Sequence, residues 1–300
     1  MSPAYLKLTQ AELKNRIKRA IELLESCTIC PRNCKVNRLN DERGFCGVGR
    51  YAIIASYGPH LGEEAPLVGS HGSGTIFIAG CNLKCVFCQN FEISHLMEGY
   101  EVTPEQLAKI MIYLKNIGCH NINIVTPTHV VPQILEALPY AIELGLDLPI
   151  VYNTGGYDKE EVLKLLDNIV DIYMPDIKFV DKKLTQKFMH APDYFEVCKS
   201  AVKEMHRQVG DLILENGIAT KGLLVRHLVM PNELAGTEEV VRFLSQEISK
   251  DTYINIMAQY RPCGYAHKYP EIARRITYDE YKKAILIAQK YGLHRFDKII

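Results

Sequence analysis

Residues 75–90 read TIFIAGCNLKCVFCQN: a short run rich in β-branched residues, then Cys81, Cys85 and Cys88 in C-x3-C-x2-C spacing. The run has the length and composition of a buried parallel strand. A cysteine loop at its carboxyl end stands where barrels of parallel strands keep their chemistry. Three thiolates can hold three corners of an iron-sulfur cubane and leave the fourth iron without a protein ligand, and thiolate softness also suits zinc. The zinc alternative is a knuckle that borrows His95 or Cys119, against the preference of zinc sites for C-x2-C pairs.

Downstream, the strand pattern recurs in NINIVT (121–126), PIVYN (149–153), IVDIYM (169–174), LLVRHLV (223–229) and YINIMA (253–258). Helical stretches separate these runs. One opens on Thr103 and Pro104 with the stripe Leu107, Ile110, Met111 and Leu114, a cap followed by a first-turn proline. Others cover about 131–144, 158–167, 182–207 with a break near Pro192, 237–249, and 278–291 behind a Thr277/Glu280 capping box. Six strand-helix units predict parallel strands with right-handed crossovers. Six are too few for a closed eight-stranded barrel. The expected fold is therefore α/β, an open partial (β/α)6 barrel over residues 71–300, with a doubly wound sheet as the alternative.

Residues 1–70 are expected to form a small N-terminal extension. A helix opens at the Thr9/Glu12 capping box and leads to a Gly-, Pro- and Asn-rich segment from Cys27 to about His71. Such a segment calls for a metal staple rather than a core of its own. Cys27, Cys30, Cys34 and Cys46 supply C-x2-C-x3-C-x11-C spacing. Four thiolates fill a zinc site or hold a second iron-sulfur cluster, and the spacing does not separate the two.

The 300 residues can bury one large core, and 35 basic against 35 acidic residues cancel. That removes the general electrostatic case for a nucleic-acid partner or an anionic membrane. No run approaches a membrane span and the start lacks a signal-peptide core, so a cytoplasmic protein is expected. In that compartment ten cysteines read as metal ligands or free thiols rather than disulfides. Seven of the ten lie between Cys27 and Cys88. Cys119, Cys198 and Cys263 are expected as small buried residues, Cys263 being the one that follows a strand end.

The C-x3-C-x2-C loop with Phe87 before its third cysteine resembles the signature of radical S-adenosylmethionine (SAM) enzymes. GSGTIFIAGCNLKCVFCQNFEIS, preceded by HLGEEAPLVG, is similar to relatives of pyruvate formate-lyase activating enzyme, specifically a group with an added N-terminal cysteine segment. The resemblance runs from about Cys27 to the final helix. It implies a [4Fe-4S] cluster on Cys81, Cys85 and Cys88, whose open iron is chelated by the amino and carboxylate groups of SAM. It further implies reductive cleavage of SAM to methionine and a 5′-deoxyadenosyl radical, which takes hydrogen from a substrate. That substrate would be a protein or peptide, as for a glycyl radical enzyme activase, or alternatively a small molecule. An electron donor such as flavodoxin or ferredoxin would be the partner. The rival from another class is a non-catalytic iron-sulfur or zinc protein.

The resemblance also suggests cofactor contacts at the other strand ends. Phe87 lies in the loop itself. Thr126 and Thr128, with His129 beside them, occupy the place of a GGE-like motif, which this chain lacks. Asn153 precedes a Gly-Gly pair. Asp176 and Lys178 form a D-x-K element, Asp176 toward the ribose and Lys178 toward the cofactor carboxylate, unless the two are simply an ion pair. Arg226, with His227 next to it, needs a partner if buried, and a cofactor carboxylate is one. Gln259 follows the sixth strand, where the family histidine near adenine is missing unless His267 replaces it.

Overall fold

The computed structural model describes residues 2–298. Its sheet contains β1 (Ala52–His60), β2 (Ser73–Ile78), β3 (Tyr100–Val102), β4 (Ile122–Val125), β5 (Ile150–Thr154), β6 (Ile172–Pro175), β7 (Ile213–Glu215), β8 (Ile218–Leu228), β9 (Tyr253–Met257) and β10 (Arg295–Phe296). The strand order is β10-β9-β8-β6-β5-β4-β2-β1-β3, with β7 paired to β8 off this path. All neighbours from β2 to β10 are parallel, whereas β1 runs antiparallel to both β2 and β3. The path ends at β3 and β10 without joining, as an open barrel requires.

All six expected strands are present, and helices connect them. Pro104–Asn116, Val131–Glu143 and Tyr278–Lys290 match their sequence pattern closely. The long stretch after β6 is broken as expected, into Lys182–Met189 and Tyr194–Val209. The first helix, Gln10–Glu25, is capped by the Thr9/Glu12 box. Two expectations are shortened: 158–167 is helical only over Glu160–Leu163 before a 3-10 turn, and 237–249 ends in a π turn at Leu244–Ile248.

The segment from Cys27 to His71 differs more. It carries β1, which pairs with β2, and it adds Ile29, Val48, Ala52, Ile53 and Ile54 to the main core. The extension thus shares the barrel's sheet and core. A bulge between Ile54 and Ser56, and Gly58 and Pro59 near its end, hide the strand from a periodicity search.

Strand alternation divides the parallel strands into two faces. Ile150, Tyr152, Tyr173, Leu223, Val225, Ile254 and Ile256 belong to the main core beneath the helices. The residues between them face inward. Val151, Ile172, Met174 and Leu224 form a separate buried cluster that is filled from the helix Ala65–Val68 by Leu67. Asn153, Asp176, Arg226 and Asn255 follow on the same face and line an open cavity. An apolar layer therefore lies beneath a polar one inside the barrel.

Candidate active site

The cavity occupies about 410 Å³, within the range of small-molecule sites. Cys81, Cys85, Cys88 and Phe87 line one end of it. The cysteine loop leaves β2 through Gly80, whose φ of 79° suits glycine. A Cβ there would sit 2.5 Å from the carbonyl oxygen of Cys46 and 3.0 Å from Val48. The loop is pinned by backbone bonds from Val86 to Phe188 and from Tyr265 to Val86. Phe87 is buried and packs its ring 5.6 Å from Phe179.

Two of the sulfurs already accept hydrogen bonds, Cys81 from the Leu83 amide at 3.3 Å and Cys88 from the Ser94 hydroxyl at 3.2 Å. Burial pushes the Cys85 thiol up, and the Lys178 ammonium opposes this. Cys81 and Cys88 lie near enough to Cys85 to add to its rise. Among the described residues no three Cys, His, Asp or Glu side chains crowd a single point as a one-ion site would. A cubane asks for something different, one thiolate at each of three separate irons. Three loop thiols, two of them with an amide or hydroxyl donor on the sulfur, fit that group. Cys119 cannot join them: it precedes β4 and packs near Gly74, at the opposite end of the strands. His95 is stacked on Phe91 at 4.3 Å.

The polar layer is a connected ion-pair network. Arg226 donates from Nε to Asp176 Oδ1 at 2.7 Å and from Nη2 to Asn153 Oδ1 at 2.7 Å. Lys178 Nζ donates to Asp176 Oδ2. Burial alone would raise the Asp176 carboxyl, but Arg226 and Lys178 hold it below the ordinary range. Burial likewise works against the Arg226 charge, and Asp176, Glu64 and Glu63 outweigh it. The partner that a buried Arg226 requires is thus supplied by the protein, through Asp176. The D-x-K element is an ion pair that also lines the cavity.

Thr126 lines the cavity with φ 63°, a strained value for a β-branched residue, and its amide bonds to the Asn153 carbonyl. Thr128 does not reach the cavity. The 3-10 turn Thr128–Val130 carries it behind the strand ends, where its hydroxyl meets Thr154 at 2.9 Å. Thr154 in turn donates to buried Asp158 at 2.6 Å. His129 is buried against the Ala79 carbonyl, and burial lowers its pKa to about 4. His227 points outward, as its place beside inward Arg226 dictates, and meets the Ile177 carbonyl and Thr237. Gln259 lies at the exposed rim of the cavity, its amide against Met257 Sδ. His267 is exposed and meets the Gly264 carbonyl at 3.1 Å. Cys119 and Cys198 are buried; Cys263 is half-buried and outside the cavity lining.

The N-terminal thiols form a second group behind the loop. Burial raises Cys30 to about 12, with Cys46, Cys27 and Cys34 adding to the rise. Arg38, 1% exposed, donates to the carbonyls of Gly49 and His129 and counters the burial-driven rise of Cys46. Arg32 ties this segment to the cysteine loop through the Asn82 carbonyl at 2.7 Å, with its guanidinium 4.1 Å from the Phe45 ring centre.

Among the cavity residues that were not anticipated are His60, Glu63, Glu64 and Asn255. Asn255 could have been found from its place two residues from Tyr253 and Met257 on one strand face. The Glu-Glu pair lies in a Gly- and Pro-bearing stretch that reads as solvated loop.

Comparison with known proteins agrees with the three-cysteine loop, which lies inside the matched region. The Radical SAM superfamily model matches residues 75–244. Uncharacterized protein MJ0674 of Methanocaldococcus jannaschii is 36% identical over 96% of this chain and 81% of its own length. Uncharacterized protein MJ0808 of the same organism is 26% identical over 89% of this chain and 81% of its own. Among solved structures, native anSMEcpe with bound AdoMet aligns with a TM-score of 0.46 at 13% identity, over 71% of this chain and 57% of that one. Described residues contain no helix long and apolar enough to cross a membrane. With the family model covering more than half of its length, and its three-cysteine loop at the mouth of an open parallel barrel, this chain belongs to the Radical SAM superfamily.

Proposed function

We propose that this protein reductively cleaves SAM at a [4Fe-4S] cluster held by Cys81, Cys85 and Cys88, and takes hydrogen from a substrate admitted to the barrel cavity. The observation that carries this reading is the opening of the three-thiol loop onto a cavity walled by Asn153, Asp176, Lys178 and Arg226. When bound, cluster and cofactor together supply a 5′-deoxyadenosyl radical. The chain's own groups orient and shield. Phe87 supplies an apolar wall beside the cysteines, Lys178 presents its ammonium between Asp176 and Cys85, and Thr126, its amide already bound to the Asn153 carbonyl, lines the space beside them. Asn153 and Asp176 hold Arg226 in place, so the wall is organised before any ligand arrives.

The likeness to the activating enzymes favours a protein or peptide as hydrogen donor, a glycine in the activase reading, with flavodoxin or ferredoxin as reductant. A small molecule is the second reading, favoured by the charged groups deep in the cavity. The quartet Cys27, Cys30, Cys34 and Cys46, whose thiols are neighbours but do not converge on one point as a single zinc ion would ask, is read as a metal-thiolate centre, a second cluster ahead of zinc, with Arg38 as its buried counter-charge. Anaerobic reconstitution followed by dithionite reduction and measurement of 5′-deoxyadenosine tests the main proposal. A fully loaded wild-type protein that forms no more than a Cys85→Ala control would overturn it.

A further inference from the structure

The cavity extends from the cysteine loop toward the amino ends of the strands. β1 runs antiparallel to β2 and its last residue, His60, is registered with Ser73, the first residue of β2. The chain then passes through Glu63 and Glu64 into the helix Ala65–Val68, whose Leu67 seats in the apolar layer. The two glutamates thus lie where the apolar layer meets the polar one, at the far end of the cavity from the cysteines.

Glu64 is 4% exposed, and Asn255 Nδ2 donates to its Oε1 at 2.9 Å. Its Oε2 is buried and has no hydrogen-bond partner among the described residues. Leaving a buried carboxylate oxygen without a partner is costly, so such an atom calls for an explanation. The neighbouring cations do not provide one. Lys178 and the Nε of Arg226 are both committed to Asp176, and the nearest approach of Arg226 to the pair is Nη1 to Glu63 Oε2 at 3.8 Å. Of the titratable cavity-lining side chains, Glu63, Glu64 and Asp176 stand against Lys178 and Arg226, with the His60 imidazole 3.5 Å from Glu63 and none of these basic groups within ion-pair distance of Glu64. Burial raises the Glu64 carboxyl and Arg226 offsets this only in part, so the floor lacks a close cation for Glu64.

We infer that Glu64, seconded by Glu63, is the recognition site for a cationic nitrogen of the substrate, an ammonium or guanidinium group inserted through the cavity to Glu64 Oε2. This rests on the reading of the cavity as a radical SAM site. In that chemistry the amino group of SAM is bound to iron at the cysteine end, so the floor is left to the second reactant. The cation would come from a free amine or from a lysine or arginine side chain of a peptide. Asn255 acts as a positioning residue by fixing the carboxyl plane.

The test is direct binding to the SAM-loaded holoprotein under anaerobic conditions, by calorimetry. Cadaverine and agmatine are compared with neutral 1-pentanol, and glycine pentapeptides centred on lysine or arginine with those centred on norleucine or citrulline. At least one cationic probe is expected to bind tenfold or more tighter than its neutral counterpart, and the arm in which it appears identifies the source. Glu64→Gln is expected to erase that preference. No preference in the wild type, or a preference that survives in Glu64→Gln, would overturn the proposal. If Glu64→Gln does not fold, Asn255→Ala, which removes only the donor to Oε1, is expected to reduce the preference several-fold, and an unchanged preference there counts against it equally. Formation of 5′-deoxyadenosine is measured in parallel without any probe. Its absence would defeat the proposed reaction, whereas the binding comparison would still read the floor site.

Discussion

Asp176→Asn is the substitution that most directly probes the polar layer. The carboxylate takes Nε of Arg226 at 2.7 Å and the Lys178 ammonium on its two oxygens. An asparagine of the same shape could still accept from Arg226, but its amide group would face the lysine with a donor. Removing one partner of a buried ion pair typically costs roughly 3–5 kcal/mol. Two stranded cations argue for the upper part of that range. Side chains left 13% to 18% exposed, and Glu63 at 3.8 Å from Arg226, argue for the lower part. The expected loss at neutral pH is about 3 kcal/mol. Because Arg226 and Lys178 hold the carboxyl below its ordinary value, this stability is present above the ordinary aspartate range and disappears as pH falls through the lowered one. Urea unfolding under anaerobic conditions, with unchanged slope, measures the difference without the screening that an ionic denaturant brings. Wild type and variant should converge in strong acid, and adding Arg226→Met should recover part of the loss. A loss under about 1 kcal/mol, the level of screened surface pairs, would refute the placement of this network in a low-dielectric barrel interior.

Three further expectations follow from other parts of the molecule. Gly80→Ala forces a left-handed alanine, costing about 1–2 kcal/mol in backbone strain alone, and drives its Cβ to 2.5 Å from the Cys46 carbonyl oxygen; iron bound per chain after reconstitution should fall sharply, and retention of full iron would show that the loop tolerates displacement. Asp171 accepts the amides of Ala4 and Ile150, yet burial raises it to about 6. The folded state therefore favours the protonated form, and folding stability should decline as pH rises from about 4 through 6, a slope that Asp171→Asn removes and that a pH series of unfolding midpoints would reveal. In Cys27→Ala, metal analysis should show loss of zinc, or of iron beyond the share of the three-cysteine loop; unchanged content of both metals would rule out a centre at the quartet.

Much of the barrel could be read because its strands are short, apolar and separated by capped helices. The inner polar layer was half legible for the same reason. Arg226 and Asp176 interrupt apolar runs at even spacing from Leu224 and from Ile172 and Met174, and alternation sends them all to one face. The same rule sends His227 outward. Thr128 was misplaced because adjacency to a strand end says nothing about the turn that follows, and a 3-10 turn swings it toward Thr154. β1 was invisible because the AIIASYGPH stretch breaks its own alternation at a bulge and ends in residues that strands usually avoid. The partner of Arg226 could not be named from sequence, since pairing across fifty residues depends on which strands become neighbours.

What joins the N-terminal residues to the chemistry is contact at both ends of the cavity. At the cysteine end, Arg32 reaches the Asn82 carbonyl, and the Cys46 carbonyl lies so close to Gly80 that no side chain fits between them. At the far end, Leu67 completes the apolar layer with Val151, Ile172, Met174 and Leu224. A fully buried leucine contributes about 1.5–3 kcal/mol through that burial, so the helix carrying it is held firmly in the barrel. Glu63 and Glu64 immediately precede that helix, and their position follows from Leu67 being seated. The residues before β2 therefore brace the cysteine loop from behind and set the charge at the end of the cavity the substrate would reach.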